Sequence, residues 1–462
     1  MVLESGIAQP DTLSSILQHR RQQLAADICF PVVLWSGCGC ARNYPGNRYP
    51  FRASSHFLYF AGLPLYNAAI CLENGKLELF LDDPSPSDAL WHGETLHRSQ
   101  IADFMGADAA FPLKELESRS EGAATIPVQD EATRLQQAQV LQRAIAPAHL
   151  ASIDEDLMRA IIRLRLCHDA LGLAQIRAAA AVSVQAHKAG MAATATAQRE
   201  AVVRAAMEQI ILAHNMTCAY NSIVSVHGEV LHNEHYHHSL QAGDLLLADV
   251  GAETELGWAS DITRTWPVSG RFSPTQRDLY EVVLAAHDGA IAKACAGVEY
   301  RDLHLLACTV IAEGLVDLGI LRGRAEDLVE MDAHALFFPH GLGHLLGLDV
   351  HDMEDLGDLA GYEAGRHRSD RFGLGYLRLD RPLQSGMVVT IEPGFYQVPA
   401  ILQDPQRRAH YASIVNWERL TQFSDVRGIR IEDDILITNT GCEVLTIDLP
   451  TQVQAIEARV SG

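Results

Sequence analysis

The chain has no C-x-x-C pair and no apolar run long enough to cross a bilayer. The first absence excludes the usual zinc-ribbon and dithiol redox spacings; Cys38-Gly39-Cys40 is too tight for either. The second predicts no membrane span. The nine cysteines are scattered and odd in number. That argues against a disulfide framework and for reduced thiols in a cytoplasmic protein. Positive charge is short as well: 36 Lys and Arg stand against 58 Asp and Glu, a net charge of −22. Such a field repels phosphate backbones and anionic lipid, so neither a nucleic-acid nor a membrane partner is expected. Met1 to Asp11 carries no basic stretch followed by an apolar core, which predicts no signal peptide. No short-period repeat occurs.

What is present is a globular composition, 48% hydrophobic and 20% charged over 462 residues. That length exceeds one ordinary core and predicts two domains. Residues 12–27 read as an amphipathic helix, and Phe30 to Trp35 as a strand. Asn74-Gly75 between Ala68–Leu72 and Leu77–Leu81 predicts a two-residue hairpin turn. The helix and strand alternation to about residue 150 predicts a small α/β domain. Residues 153–214 are Ala-rich and helical, with Val203, Met207 and Ile210 on one face. Tightly packed helices explain that composition, since Ala is the best helix former. The boundary is placed near residue 165, giving domains 1–165 and 166–462. Further on, Leu245 to Val250, Met387 to Ile391 and Ile429 to Ile437 read as strands. Ser273-Pro274-Thr275-Gln276 is a capping box opening a helix to about Ala296. The fold class is α/β (α+β).

Carboxylates stand where this pattern demands apolar side chains. Asp249 closes Leu245-Leu246-Leu247-Ala248. Asp261 opens Asp261-Ile262-Thr263-Arg264-Thr265. Glu392 ends Val388-Val389-Thr390-Ile391, and Glu432 lies within Gly428-Ile429-Arg430-Ile431-Glu432-Asp433. An ionised carboxylate in a dry core is costly unless it is paired or binds a metal. One would be a strand-end accident or a salt bridge. Four in separate strands, beside three histidines in the Gly-rich run His340-Gly341-Leu342-Gly343-His344 to His351, point to a site. Oxygen-rich donors with one imidazole suit manganese, cobalt or zinc rather than thiolate metals. Four carboxylates can also bridge two cations.

These segments, in this order over residues 215–445, resemble the pita-bread metallopeptidases. That family includes methionine aminopeptidase, Xaa-Pro aminopeptidase and prolidase. Tyr49-Pro50-Phe51-Arg52 to Phe57-Leu58-Tyr59-Phe60-Ala61-Gly62 is similar to the N-terminal domain of the proline-specific branch. The resemblance implies a C-terminal pita-bread catalytic domain and two divalent ions held by Asp249, Asp261, His344, Glu392 and Glu432. Manganese is expected first, with cobalt or zinc as alternatives. Asp261 and Glu432 would bridge both ions, Asp249 completing one sphere and His344 with Glu392 the other. Asp249 and Asp261 are twelve residues apart, one more than the family's common spacing, which places an extra residue in the hairpin between them.

The resemblance further implies hydrolysis of the bond preceding proline in a small peptide. Glu392 would shuttle the proton and His351 hold the oxyanion. His340 acts beside them, and with His232 would contact substrate from opposite walls. Arg430 would orient carboxylates beside the substrate site, and Tyr396 line the pocket or fill the core. Arg378, in Tyr376-Leu377-Arg378-Leu379-Asp380, is similar to the prolidase Arg that holds a dipeptide's carboxylate. Phe395 to Arg427 is a long insertion of the prolidase kind. A dipeptidase is therefore expected, with an Xaa-Pro aminopeptidase as the alternative, because the Arg42-Asn43 and Tyr49–Gly62 segments resemble that enzyme equally. A non-catalytic binding module, creatine or phosphoester hydrolysis, and a phosphotriesterase side activity are the further alternatives. The resemblance implies a homodimer, with a tetramer as the other arrangement.

Overall fold

The computed structural model describes residues 10–146 and 151–461; most of the leader reading at Met1 to Asp11 lies outside these. Contacts divide the chain into two compact units, Met1–Arg165 and Leu166–Gly462. Among the described residues, no helix is long and apolar enough to cross a membrane.

The first unit is a mixed sheet with helices. Its four strands run in the order Val32–Trp35, Ala69–Glu73, Lys76–Phe80, Ala109–Phe111. The first three are antiparallel, and the last pairs parallel to Lys76–Phe80. The predicted hairpin forms at Asn74-Gly75, where both residues take positive φ, 51° and 77°. Such a turn matches the twist of the flanking strands. Helices Pro10–Asp27 and Ser152–Arg165 pack on each other.

The second unit opens with the Ala-rich helix Ala170–Thr194, capped by Asp169 on the Gly172 amide at 2.9 Å. It packs on Glu200–Ala213. The two approach closely at Gly190, where a Cβ would lie 2.7 Å from Met207. The buried face of the second helix is Val203, Met207 and Ile211. Ile210, expected there, is only half-buried, because successive steps of four from Val203 reach position 211. The capping box forms as read: Ser273 Oγ accepts from the Gln276 amide, and the helix runs Pro274–Lys293.

Three small antiparallel sheets position the site. Leu245–Asp249 lies between Ile223–Ser225 and Thr263–Pro267. Asp433–Ile437 lies between Val388–Ile391 and Cys442–Val444. Gly394–Tyr396 pairs with Gly428–Arg430. The expected strand Ile429 to Ile437 is therefore two strands, broken at Ile431-Glu432. The break is a change of partner: the chain leaves Gly394–Tyr396 and joins Val388–Ile391. Its neighbour changes over at Glu392-Pro393, where proline lacks an amide to continue a ladder. Glu392 and Glu432 thus occupy facing kinks of one paired ribbon. The segment Phe395 to Arg427 contains short helices at Pro399–Leu402, Pro405–His410 and Trp417–Thr421.

Candidate active site

Each predicted ligand is fixed by backbone bonding of its own segment. Asp249 ends its strand opposite both Thr263 and Ile223. Asp261 precedes the strand Thr263–Pro267 rather than lying in it, and its amide donates to both Asp434 carboxylate oxygens at 3.2 Å. The link between the two aspartates turns at Thr254–Trp258, closed by the Thr254 amide on the Trp258 carbonyl at 2.9 Å. Gly251 lets this link fold tightly, since a Cβ there would lie 1.9 Å from the Ser260 carbonyl oxygen. The Glu392 amide donates to Leu342 O at 2.8 Å, and the Thr390 amide to His344 O at 3.0 Å. These two bonds lay the Gly-rich histidine run against the Val388–Ile391 strand. The Glu432 amide donates to Thr263 O at 3.0 Å, joining the other two ligand segments.

The result is a cavity of about 480 Å³ lined by all five residues, Asp249, Asp261, His344, Glu392 and Glu432. His232, His340, His351, Arg378 and Arg430 line the same cavity. Donor atoms of Asp261, His344 and Glu432 fall within 4.8 Å of one another. Asp249 and Glu392 flank that trio.

The electrostatics call for cations. Burial, with Asp249 beside it, pushes the Asp261 carboxyl up to about 7. Burial pushes Glu392 up to about 7 as well, and Glu432 well above its ordinary range, Asp261 and Glu392 adding to the latter. One buried guanidinium answers four carboxylates: Arg430 donates to Asp249 Oδ2 at 2.5 Å, Thr263 Oγ1 at 3.0 Å and the Tyr396 hydroxyl at 2.9 Å. Thr263 Oγ1 in turn donates to Glu432 Oε2 at 2.6 Å.

The tautomer of His344 sharpens the argument. Its Nδ1 lies 3.0 Å from the Leu345 carbonyl, which can only accept, so the proton sits on Nδ1 and Nε2 carries a lone pair. Burial lowers the pKa of this ring, so it is neutral. Nε2 nevertheless faces Asp261 Oδ2 at 3.4 Å and Glu392 Oε1 at 3.7 Å. These contacts are not ion pairs; with both carboxylates ionised they set three lone-pair atoms face to face. A divalent cation among them satisfies all three, and the carbonyl behind Nδ1 is the usual outer support of a ligating imidazole. The donor set fits divalent metal ions.

On the substrate side the structure separates residues that line the cavity from residues that hold others. Tyr396 is fully buried and does not line the cavity, which corrects its reading as a substrate contact. Its hydroxyl accepts a hydrogen bond from Arg430 and stands 2.8 Å from His340 Nε2. The other His340 nitrogen, Nδ1, donates to Gly341 O at 2.8 Å, so Nε2 accepts from Tyr396. Burial, with Arg430 nearby, pushes His340 down to about 3. Arg430, though it lines the cavity, is engaged by Asp249, Thr263 and Tyr396. The His351 ring centroid lies 4.1 Å from that of His344, the two planes tilted by 51°, and its Nδ1 donates to Glu354 Oε2 at 2.6 Å. Arg378 donates to the other Glu354 oxygen. His232 stands on the exposed rim of the cavity.

Sequence reasoning missed Tyr220, Thr263 and Glu354. The Tyr220 hydroxyl lies 2.6 Å from Asp249 Oδ1 and 2.5 Å from Asp261 Oδ1. Nothing in Cys218-Ala219-Tyr220 signals this. Glu354 was open to discovery, three residues beyond His351 in a polar turn.

Comparison with known proteins follows the same lines. Residues 174–439 match metallopeptidase family M24, and residues 17–126 match the N-terminal domain of aminopeptidase P. A probable Xaa-Pro aminopeptidase of Fusarium vanettenii is 35% identical over 429 residues, 89% of this chain and 88% of that one. Aminopeptidase PepP of Pseudomonas aeruginosa superposes with a TM-score of 0.79 at 29% identity, over 97% of this chain and 98% of the other. Zinc-substituted E. coli aminopeptidase P in complex with product gives 0.78 at 28% identity, over 99% of both. Together with the carboxylate and imidazole set, these likenesses place the chain in metallopeptidase family M24, as a member of its proline-specific, pita-bread branch.

Proposed function

We propose that the protein is a dinuclear Xaa-Pro aminopeptidase, which removes the residue before proline from peptides longer than two residues. The observation that carries this reading is the likeness to aminopeptidases of that specificity along nearly the whole chain, N-terminal region included. The dipeptidase expectation rested on Arg378 meeting a free carboxylate. That guanidinium is already engaged by Glu354, and a bound carboxylate would have to displace an internal one.

In this reading residues 166–462 form the catalytic domain and 1–165 a separate domain. Asp249, Asp261, His344, Glu392 and Glu432 would hold two divalent ions, manganese being the first expectation, with Asp261 and Glu432 shared between them. The ions would acidify a water and polarise the scissile carbonyl. Glu392 receives the water's proton and returns it to the leaving proline nitrogen. With Nδ1–H held by Glu354, His351 would need its second proton, on Nε2, to donate to the carbonyl oxygen as charge develops there. Both nitrogens of His340 are engaged by Tyr396 and Gly341, so that ring shapes the cavity wall. His232 meets the peptide at the open rim.

The test is a comparison of kcat/KM for Ala-Pro-Gly and Ala-Pro, on wild type and Arg378→Ala. The tripeptide should be preferred by wild type. A preference for the dipeptide that Arg378→Ala abolishes would restore the dipeptidase reading. Activity surviving exhaustive chelation would remove the metal-dependent reading altogether.

A further inference from the structure

A second cluster of metal-binding side chains lies outside the cavity. The helix Tyr300–Asp317 carries His304 and Cys308 one turn apart, so both project from one face. The short 3-10 turn Ala333–Leu336 brings His334 to that face. Donor atoms of His304, Cys308 and His334 all lie within 4.8 Å of one another. All three residues are essentially buried: His304 and Cys308 at 0% exposure, His334 at 1%.

Their bonding is uneven in an informative way. His304 Nε2 donates to the Gly373 carbonyl at 3.0 Å. That fixes its proton on Nε2, 3.5 Å from Cys308 Sγ, and leaves Nδ1 with a lone pair, 3.9 Å from the same sulfur. Cys308 is a free thiol. Neither ring nitrogen of His334 has a hydrogen-bond partner in ordinary bonding geometry; a looser backbone contact at Leu328 acts against the effect of burial on the ring. A buried polar group without a partner is rare in native proteins and calls for an explanation. Gly373 packs directly on this ring: a Cβ there would lie 2.9 Å from His334 Nε2 and 2.7 Å from Asp332 Oδ1. Asp332 adds negative charge near the thiol.

We propose that His304, Cys308 and His334 form an additional metal site, separate from the carboxylate centre, for a borderline-to-soft divalent ion of the zinc class. Two imidazoles and one thiolate are donors of zinc type. They are unlike the oxygen-rich set in the cavity, so the two sites would sort ions by softness. Binding gives the unpartnered His334 its missing partner. The Cys308 proton leaves to solvent as the sulfur–metal bond forms, with no change of oxidation state. The site is structural in position: His304 touches Phe338 (ring centroids 5.7 Å), and Phe338 touches His340 (4.9 Å), so the ion would brace the wall behind the histidine run.

Cobalt(II) tests this without relying on peptidase activity, because the cavity ligands include no sulfur. The metal-free full-length chain is titrated with Co2+ and followed in the near ultraviolet. The expected result is a thiolate-to-cobalt charge-transfer band that saturates with one bound equivalent, is lost in Cys308→Ser and weakened in His334→Gln, and is erased by added Zn2+. Cys308→Ser should keep the far-ultraviolet circular dichroism and cooperative melting of the metal-free wild type, which certifies its fold; should it fail to fold, Cys308→Ala replaces it. No sulfur band in wild type, or a band that persists without Cys308, overturns the proposal. Failure of the aminopeptidase reading would leave this band unaffected.

Discussion

Metal uptake should release protons in a number set by the crowded carboxylates. In the metal-free site Asp261 and Glu392 sit at about 7 and Glu432 well above its usual range, all through burial and mutual repulsion. His344 is neutral, so it has no proton to lose from Nε2. At pH 6 the two carboxyls at about 7 are roughly nine-tenths protonated, which gives about two protons displaced per chain from them on loading both ions, with any proton held by Glu432 added to that. At pH 8 these two are mostly ionised and their share falls well below one. The overall binding constant should then climb by about two decades per pH unit near pH 6 and much less steeply near pH 8. The sign carries over to stability. A carboxylate whose folded pKa is raised adds stability below its unfolded value and loses it as pH rises through the folded one. The metal-free protein therefore sheds this contribution between about pH 4 and about pH 7, whereas the loaded protein does not. The assay is calorimetric titration of chelated protein with Mn2+ in two buffers of different ionisation enthalpy, at pH 6 and pH 8. One proton or fewer at pH 6, or pH-independent uptake, would refute the view that these carboxylates are a charge-starved metal cradle.

Three further perturbations probe the supports of the site. Tyr396→Phe removes the hydroxyl that accepts from Arg430 and donates to His340; losing one charge-assisted bond of about 1.5–3 kcal/mol and one neutral bond of about 0.5–1.5 kcal/mol should lower kcat/KM by about ten- to a hundredfold with metal content unchanged. Glu354→Gln loosens both His351 and Arg378; loss of charge-assisted bonds of about 1.5–3 kcal/mol should lower kcat by about ten- to a hundredfold, and an unchanged kcat would deny His351 its role. Gly251→Ala forces a Cβ against the Ser260 carbonyl at 1.9 Å; overpacking costs about 1–3 kcal/mol, and calorimetry should show a lower Tm together with weaker metal uptake, since Asp249 and Asp261 flank the strained link.

The five cavity carboxylate and imidazole positions were legible because they contradict their surroundings. Asp249 and Glu392 cap strands whose other members are buried and, Thr390 apart, apolar, and hydrophobic periodicity exposes such a contradiction in one sequence. The hairpin at Asn74-Gly75 was legible for a similar local reason, as two positive-φ residues fit that turn. The break at Ile431-Glu432 was not. Its cause is an exchange of strand partners, and strand partners are chosen in three dimensions. Tyr220 was illegible for the same reason: an uncharged residue reveals a role only when two aspartates from elsewhere close on its hydroxyl. Tyr396 was misplaced by one layer, behind His340 rather than beside the substrate, since a motif fixes chain order but not depth.

Substrate length was harder still, and Glu354 shows why. Its two oxygens are divided between His351, which faces the reacting carbonyl in the proposed mechanism, and Arg378, which would decide whether a free carboxylate is accepted. The His351 bond holds Glu354 down at about 2, so it stays ionised across the working pH range and Arg378 keeps an internal anion as partner. A dipeptide's carboxylate would have to compete with that fixed, preorganised anion, and winning Arg378 would loosen His351. A longer peptide makes no such demand, because its next residue offers a neutral amide. The same arginine at the same place in the sequence can therefore serve opposite specificities, according to whether a neighbouring glutamate already occupies it.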